Sequence, residues 1–345
     1  MGVFRAPGRV NLIGEHTDYN LGLVLPMALQ LATYVSSEPS PDGKLRLHSE
    51  QRQESREWSI GDILHLKRAG HWSDYPIGVA QQVIAAGFPI EAARLTIRST
   101  VPEGAGLSSS AALEVACAMA FLNGRAMPPL DLALLCQRAE REFVGMPCGI
   151  MDQYIAVFGR EQAAVEIDCR SLEHRLVPLP DGIAFLAVNS LVKHALAGSA
   201  YAERVRECAE SAAELGVTSL RDAATSNSPR AQHVISENRR VAQFAKASAQ
   251  SDVQTMGRLM VESHRSLQHD YEVSCPELDF LVDSALAIDG VLGSRMTGGG
   301  FGGCTVTLLR AGAENQFRRE ITAAYERRFS LTPAIYECVP GQGAM

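Results

Sequence analysis

The sequence of 345 residues lacks the features that mark membrane and exported proteins. No apolar run approaches the roughly 18 residues of a membrane-spanning helix. Met1 to Val10 contains Arg5 and Arg9 but no apolar stretch of the kind that a signal peptide carries. We therefore expect a cytoplasmic protein without membrane partners.

An excess of basic charge is missing as well. The chain has 32 Lys and Arg residues against 39 Asp and Glu residues, which gives a formal net charge of -7. Proteins that bind the phosphate backbone of nucleic acids need a basic surface. The composition therefore predicts no nucleic-acid partner. An anionic ligand has to be held by local donors, because the overall field does not attract it.

Closely spaced metal ligands are also absent. The eight cysteines form no C-x-x-C pair, and the nine histidines form no H-x-x-x-H pair. A structural zinc site and a dense disulfide framework both need such spacing. The sequence predicts free thiols, most of them buried, in a reducing compartment.

What the chain does contain is an ordinary globular balance, with 46% apolar and 21% charged residues, over a length typical of two domains. Short β-like runs dominate the first third, and helical periodicity dominates after a turn cluster at Pro178 to Gly182. These patterns predict an α+β protein with an N-terminal domain at residues 1–180 and a C-terminal domain at 181–345.

Local patterns place the individual elements. We expect strands at residues 44–48, 94–98, 183–189 and 334–338, a strand–glycine-loop–strand unit at 291–309, and helices at 72–86, 111–123, 128–144, 200–215, 230–247, 252–267, 277–288 and 313–328. Two capping boxes predict helix starts, Ser251 with Gln254 and Ser274 with Glu277.

A first glycine loop, Gly104-Ala-Gly-Leu-Ser-Ser-Ser110, lies between a predicted strand and a predicted helix. Glycines let backbone N–H groups turn toward a ligand, and a helix N-terminus adds partial positive charge. The hydroxyls suit phosphate oxygens or Mg²⁺. The Walker spacing G-x-x-x-x-G-K-[ST] is absent, and from this loop alone a Ser-rich helix cap behind a flexible turn stays an equal alternative.

A second glycine loop, Gly298-Gly-Gly-Phe-Gly-Gly303, formally matches the dinucleotide fingerprint. That fingerprint requires a helix directly after the loop, whereas the strand-like run Cys304 to Leu309 follows here, so the dinucleotide reading is rejected. Five glycines around one Phe predict either a tight hairpin or a very close neighbour, which could be a ligand or the catalytic loop.

Polar side chains are concentrated between Arg9 and Tyr19, where Glu15, His16 and Asp18 lie within four residues. Carboxylates and an imidazole so close together are typical of a site that binds sugar hydroxyls, and a solvated loop is the alternative. Asp152 lies in an apolar stretch, so it is either functional or ion-paired, and Arg9 is a candidate partner.

Taken together, these segments resemble the galactokinases of the GHMP superfamily of sugar and small-metabolite kinases. Arg9 to Tyr19 resembles the galactokinase sugar motif, Gly104 to Ala112 the phosphate loop, Met296 to Cys304 the third motif and Cys148 to Gln153 the segment with the catalytic Asp. The resemblance implies an N-terminal domain similar to domain 2 of ribosomal protein S5, a ferredoxin-like C-terminal domain and an active site between them.

The resemblance also implies a role for each matching residue. Asp152 would accept or orient the proton of the sugar's anomeric hydroxyl, with Arg9 beside it to keep Asp152 ionised. Galactose would be bound by Glu15, His16, Thr17, Asp18, Gly149 and Tyr201. The ATP phosphates would lie on Gly104, Ala105, Gly106, Leu107, Ser108, Ser109 and Ser110, and the adenine near Trp72 and Tyr75. Mg²⁺ would be held by Ser110 and Glu140.

The implied activity is transfer of the γ-phosphate of ATP to the anomeric hydroxyl of D-galactose, the first committed step of galactose catabolism in the Leloir pathway, by a monomer. A related kinase of N-acetylgalactosamine or arabinose and a non-catalytic galactose sensor are the alternatives. The intact run Ser110-Ala111-Ala112 favours catalysis over sensing. One departure from the family pattern is Asp74, which stands where relatives often have Asn.

Overall fold

The computed structural model describes residues 2–193 and 197–345. Its helices and three sheets give the predicted α+β class. The strands are β1 (Gly2–Asn11), β2 (Leu23–Val24), β3 (Pro26–Pro39), β4 (Lys44–Ser49), β5 (Glu54–Ser59), β6 (Ala93–Ser99), β7 (Ala163–Asp168), β8 (Glu173–Pro178), β9 (Ile183–Lys193), β10 (Val291–Thr297), β11 (Gly302–Arg310) and β12 (Ala334–Glu337).

The main helices of the described residues carry an apolar face toward one of the sheets or toward each other. They are α1 (Asp74–Ala85), α2 (Ser109–Leu122), α3 (Pro129–Arg138), α4 (Met151–Phe158), α5 (Ala197–Glu214), α6 (Pro229–Ala249), α7 (Val253–His269), α8 (Pro276–Leu286) and α9 (Glu314–Phe329). None of these described helices is both long and apolar enough to cross a membrane.

A five-stranded sheet organises the first half of the chain, in the order β1-β3-β6-β4-β5, with only β4 and β6 parallel. Alternate residues of β4 are buried, as the period of a strand requires. Helix α2 packs across β1 and β3, and its apolar residues enter the core with Val35, Leu47 and Leu95. A small sheet, β2-β7-β8, lies beside it.

An antiparallel sheet in the order β10-β11-β9-β12 organises the second half. Helices α8 and α9 bury Leu281, Phe317 and Tyr325 against it. A separate apolar cluster joins the halves, because Leu12 and Met27 from the first half pack with Phe244 and residues near it from the second. The proposed boundary near residue 180 stays a prediction, since this core spans both sides of it.

The end of the chain crosses back to the first half. Val339 and Met345 form backbone hydrogen bonds with Gln30 and Arg5, and Pro340 bridges to Leu29. The last residues of the sequence therefore pack against β1 and β3 rather than against the sheet of the second half.

Most predicted elements are confirmed, but both capping boxes are wrong by one residue. Asp252, not Ser251, caps α7 by accepting the N–H of Thr255 at 3.0 Å. Helix α8 begins at Pro276 after Cys275, while the Ser274 hydroxyl bonds to Asp279. The predicted helix at 128–144 is two pieces, because α3 gives way to a wider π-helical turn at Ala139–Val144.

All eight cysteines are free thiols, as predicted, and seven of them are buried. Cys148 is half-buried and lines the cavity described below. Burial raises the pKa of its thiol, with the carboxylate of Glu140 adding to the effect. The thiols therefore stay protonated at neutral pH and act as small apolar side chains.

Candidate active site

One cavity of about 920 Å³ lies where the two halves meet. It is lined by all but three of the residues that the sequence predicted for the site, the exceptions being Thr17, Ala105 and Leu107. Segments as distant along the chain as Arg9, Asp152 and Gly298 contribute to the same wall. The fold therefore brings the sugar-like motif, both glycine loops and the candidate catalytic Asp together.

A two-pronged ion pair joins Arg9 to Asp152 on this wall. Arg9 Nε donates to Asp152 Oδ1 at 2.9 Å and Nη2 donates to Oδ2 at 3.0 Å. The predicted partnership of these residues is confirmed. Arg9 is 5% exposed, and its Nη1 also donates to the carbonyl of Gly106 in the first glycine loop. Planar, two-point pairing of this kind fixes the orientation of a carboxylate.

Ser108 contributes a contact that the sequence did not predict. It has φ of 58°, a left-handed conformation, and directly precedes helix α2. Its hydroxyl donates to Asp152 Oδ2. With two hydrogen bonds from Arg9 and one from Ser108, the carboxylate keeps capacity for one further donor. A substrate hydroxyl could fill that position.

The first glycine loop forms the entrance to helix α2. Gly104 and Gly106 have φ of 70° and 75°, values open to glycine without strain. Ser109 begins the helix, and no acidic residue lies in its first turn. The free N–H groups and the positive end of the helix dipole therefore face a cavity suited to an anion.

The second glycine loop is a hairpin between β10 and β11, and its close neighbour is the first loop. A Cβ on Gly298 would lie 3.0 Å from the Gly106 carbonyl oxygen, and a Cβ on Gly106 would lie 3.1 Å from that of Thr297. The two loops thus touch backbone to backbone. Of the alternatives left open by the sequence, the structure selects both the hairpin and contact with the first glycine loop.

Glu15 is held by residues of both halves. Its Oε2 accepts Asn11 Nδ2 at 2.6 Å, and its Oε1 accepts the Thr297 hydroxyl at 3.0 Å and the N–H of Gly298. The residue is 1% exposed but still reaches the cavity wall. Its carboxylate therefore connects the polar cluster near the N-terminus to the hairpin loop of the second half.

The cavity also has an aromatic wall, formed by His16 and Tyr201. The Tyr201 ring is 5.4 Å from the His16 ring, and His16 Nδ1 is 2.7 Å from the Tyr19 hydroxyl, which in turn meets the Tyr271 hydroxyl at 2.7 Å. Burial lowers the pKa of His16 to about 3, with His233 adding to the effect. The neutral imidazole of His16 and the ring of Tyr201 line the cavity and form a surface suited to a sugar ring.

Asp18 lies against the start of helix α4. A Cβ on Gly149 would come within 2.1 Å of Asp18 Oδ2, so only glycine permits this approach. Burial, with the nearby carboxylate of Asp152 adding to the effect, raises the pKa of Asp18 to about 7. Gly149 therefore acts by making room for Asp18.

Thr17 does not point into the cavity, which corrects the expectation that it would bind a sugar. Its hydroxyl is buried and donates to the carbonyls of Gly14 and Leu23, so it stabilises the turn instead. The side chains of Ala105 and Leu107 are fully buried and also lie outside the cavity. Leu107 contributes its carbonyl, which accepts the N–H of Arg9.

Ser110 and Glu140 both line the cavity, and the Ser110 hydroxyl acts against the rise in the pKa of Glu140 by favouring its charged form. Glu140 is 6% exposed. Burial raises its pKa to about 7, with Asp152 contributing. Oxygen donors of this kind suit Mg²⁺, which takes one or two protein oxygens together with phosphates and water.

Behind Glu140 lies a buried polar pair that the sequence analysis missed. Gln153 Nε2 donates to Glu140 Oε2 at 2.6 Å and to Glu114 Oε2 at 2.9 Å. Glu114 and Gln153 are fully buried, and Oε1 of each has no hydrogen-bond partner among the described residues. The spacing of Ser110 and Glu114 on one helix, four residues apart, was the signal that could have found Glu114.

At the far end of the cavity, Trp72 and Tyr75 form part of the wall, as predicted for an adenine site. Trp72 Nε1 donates to Glu54 Oε2 at 3.0 Å. Asp74 also lines the cavity. Its carboxylate accepts the backbone N–H groups of Ala69, Gly70 and His71, which explains why an acid is tolerated there.

Comparison with known proteins agrees with this geometry. The family model "Galactokinase galactose-binding signature" matches residues 1–39, "GHMP kinases N terminal domain" matches 74–160 and "GHMP kinases C terminal" matches 244–327. Together these cover more than half of the chain. The first includes Arg9 to Tyr19, and the second includes the first glycine loop and Asp152.

Similar proteins are found over nearly the whole length. A galactokinase of Roseiflexus sp. (strain RS-1) is 45% identical, covering 99% of this chain and 92% of its own. A galactokinase of Homo sapiens is 49% identical, covering 93% and 86%. The crystal structure of Lactococcus lactis galactokinase complexed with galactose superposes with a TM-score of 0.93 at 33% identity, over 99% of this chain and 94% of that one. The chain therefore belongs to the galactokinase family of GHMP kinases and is an ATP-dependent sugar kinase.

Proposed function

We propose that the chain transfers the γ-phosphoryl group of ATP to the anomeric hydroxyl of D-galactose, giving galactose 1-phosphate and ADP, and so begins galactose catabolism. The observation that carries this proposal is the Arg9–Asp152 pair, which lies between the polar cluster of residues 9–19 and the glycine loop at 104–110. The free thiols support the expected cytoplasmic location.

The sugar lies between Asp18, Glu15 and the aromatic wall. Carboxylate oxygens accept hydrogen bonds from vicinal hydroxyls, and the neutral His16 and Tyr201 pack against the ring. Asp152 uses its remaining acceptor position for the anomeric hydroxyl. Arg9 and Ser108 fix the carboxylate of Asp152 in place. The nucleophilic oxygen of the sugar is therefore oriented before it attacks.

The phosphates lie on the amides of residues 104–110 and at the start of helix α2. Ser110 and Glu140 fit Mg²⁺ by their chemistry and would hold it; when bound, the ion would neutralise charge on the β- and γ-phosphate oxygens. Arg9, next to the loop carbonyl of Gly106, balances negative charge that grows on the moving phosphoryl group.

The role of Asp152 predicts the behaviour of one variant. Asp152→Asn keeps the shape but loses the acceptor for the hydroxyl proton, so we expect turnover to fall by about 10²–10⁴-fold. Affinity for a non-hydrolysable ATP analogue should stay near the wild-type value, because the loop amides are unchanged. Steady-state kinetics with calorimetry on the same preparation measures both. Near-normal turnover would remove Asp152 from its role.

Substrate choice is tested by measuring ADP release with a panel of sugars at equal concentration. We expect D-galactose to give the highest kcat/KM, with N-acetylgalactosamine and arabinose well below it. A preference for either of these sugars would replace galactose as the substrate. Binding of galactose without ADP release from any sugar would identify a sensor instead of an enzyme.

A further inference from the structure

The most deeply buried cation among the described residues has no role in the account above. Arg295, on strand β10, has no exposed surface. Its Nη1 donates to the carbonyl of Asn11 at 3.0 Å, whereas Nε and Nη2 have no hydrogen-bond partner among the described residues. Removing a guanidinium from water is costly unless a carboxylate lies near enough to balance its charge.

Two buried carboxylates lie in this region, and one of them is already satisfied. Glu237 accepts the N–H of Gly14 at 2.9 Å and the Ser263 hydroxyl at 2.6 Å, and it pairs with Arg240 Nε at 2.6 Å. Its charge therefore has a cation of its own. Glu15 receives hydrogen bonds only from neutral groups, the amide of Asn11, the hydroxyl of Thr297 and the N–H of Gly298.

Arg295 Nη2 lies 3.9 Å from Glu15 Oε1. Within the described part of the chain it is the one cation at ion-pair distance from that carboxylate. The distance is too long for a hydrogen bond, so the attraction is one of charge across a buried gap, where screening by solvent is weak. Arg295 itself does not line the cavity, while Glu15 does.

We propose that Arg295 is a positioning residue for galactose binding, which acts by fixing the Glu15 carboxylate at the cavity wall. This inference rests on the proposed function and adds to it a residue outside all four motifs. Because Arg295 also bonds to the carbonyl of Asn11, it fixes the end of β1, from which the chain continues to Glu15. The nucleotide end of the cavity has no contact with Arg295 and should be indifferent to its loss.

The test is a double-mutant cycle read by calorimetry. D-galactose and, separately, a non-hydrolysable ATP analogue with Mg²⁺ are titrated into wild type, Arg295→Lys, Arg295→Met, Glu15→Gln and the Arg295→Lys/Glu15→Gln double variant. We expect Arg295→Met to weaken galactose binding by at least about tenfold, a loss of about 1.4 kcal/mol, and Arg295→Lys to weaken it less, because the charge is kept. Affinity for the analogue should change by less than about threefold, too little to count as a lost contact.

In the Glu15→Gln background, Arg295→Lys should cause no further loss of galactose affinity, because the group through which it acts is neutral. Equal losses for galactose and the analogue, or additive losses in the double variant, would show a merely structural role. Failure of Arg295→Lys to fold would also contradict the inference, since the charge is retained there. A wild-type chain that binds the analogue but not galactose overturns the proposed function; galactose binding that ignores Arg295 overturns only this inference.

Discussion

At the scale of single residues, the site is a group of buried charges in which each carboxylate has a different environment. Asp152 is paired with Arg9, Glu15 lies near Arg295, and Glu140 is held by Gln153. Burial, together with the nearby carboxylate of Asp152, raises the pKa of Asp18 to about 7. Environment rather than residue type therefore separates their roles.

The raised pKa of Asp18 predicts opposite effects of pH on stability and on binding. Burial and Asp152 raise this pKa to about 7, so from about pH 4 to 7 the folded chain holds a proton that the unfolded chain has lost. The contribution of Asp18 to stability therefore declines as pH rises through that range. Asp18→Asn should raise Tm at pH 8 and weaken galactose binding.

In the wild type, kcat/KM for galactose should decline below about pH 7 as Asp18 takes up its proton, and Asp18→Asn should lose this limb of the profile. Thermal unfolding at pH 5 and 8 and rate profiles of both proteins provide the comparison. An unchanged acidic limb in Asp18→Asn would assign that limb to another group, and a lower Tm at pH 8 would refute the linkage.

The hydrogen bonds of Gln153 to Glu140 and Glu114 predict an effect on the binding of one ligand and not the other. Replacing it by Met keeps the volume but removes the N–H group that Glu140 and Glu114 share, so Glu140 loses its fixed orientation. We expect Gln153→Met to weaken affinity for the Mg²⁺-loaded ATP analogue by about tenfold or more, while galactose affinity stays within about threefold. Calorimetry with each ligand separates the two; equal loss of both would point to general collapse of the cluster.

Residue identities in the site were largely predictable, because the motifs have characteristic polar residues at fixed spacing. Contacts were not. The sequence did not show that Thr17 differs in role from the polar residues beside it. In the structure its hydroxyl donates to the carbonyl of Gly14 and stabilises the turn. Arg295 and Gln153 act through other residues across the interior, and such partnership leaves no local pattern in one sequence.

At the scale of elements, two backbone loops in contact connect the halves of the site. Gly298 has φ of 89° and approaches Gly106, so a side chain would both strain the backbone and press against the phosphate-loop candidate. Gly312 has a similar φ of 96° but open space around it. Alanine variants at Gly298 and Gly312 therefore separate the cost of backbone strain from the cost of disturbing the contact between the two loops.

We expect Gly312→Ala to lower stability by about 1–2 kcal/mol, the cost of the left-handed conformation alone, with normal ligand binding. Gly298→Ala should cost more and should weaken the ATP analogue and galactose together, because the loop carries both the contact with Gly106 and the N–H that Glu15 accepts. Chemical denaturation and calorimetry measure these quantities. Normal binding by Gly298→Ala would mean that the loops are not coupled.

Elements with a clear composition, such as the Ala-rich helix α2 and the strand-like run of β11, were predicted from the sequence. The capping residues of α7 and α8, Asp252 and Cys275, were placed one residue early, because Ser251 and Ser274 match the same capping pattern and only geometry decides between neighbours. The π-helical turn that carries Glu140 was missed, since its residues continue the helical pattern of α3 without a break.

At the scale of the whole molecule, the site lies at a junction that neither half forms by itself. The shared apolar cluster packs the halves against each other, and the hydrogen bond from the N–H of Gly298 to Glu15 crosses between them. The α+β class followed from the alternation of patterns along the chain. The contacts of β1 and of Glu15 with the second half could not be predicted from the sequence. They join residues almost 300 positions apart.

The central claim is that this junction transfers a phosphoryl group to the anomeric oxygen of galactose. Phosphorus NMR of a reaction containing the protein, ATP, Mg²⁺ and D-galactose tests it most directly. The account predicts ADP together with a single sugar phosphate ester whose phosphorus is coupled to the anomeric proton, and its disappearance with Asp152→Asn. Phosphorylation of any other hydroxyl, or release of inorganic phosphate alone, would contradict it.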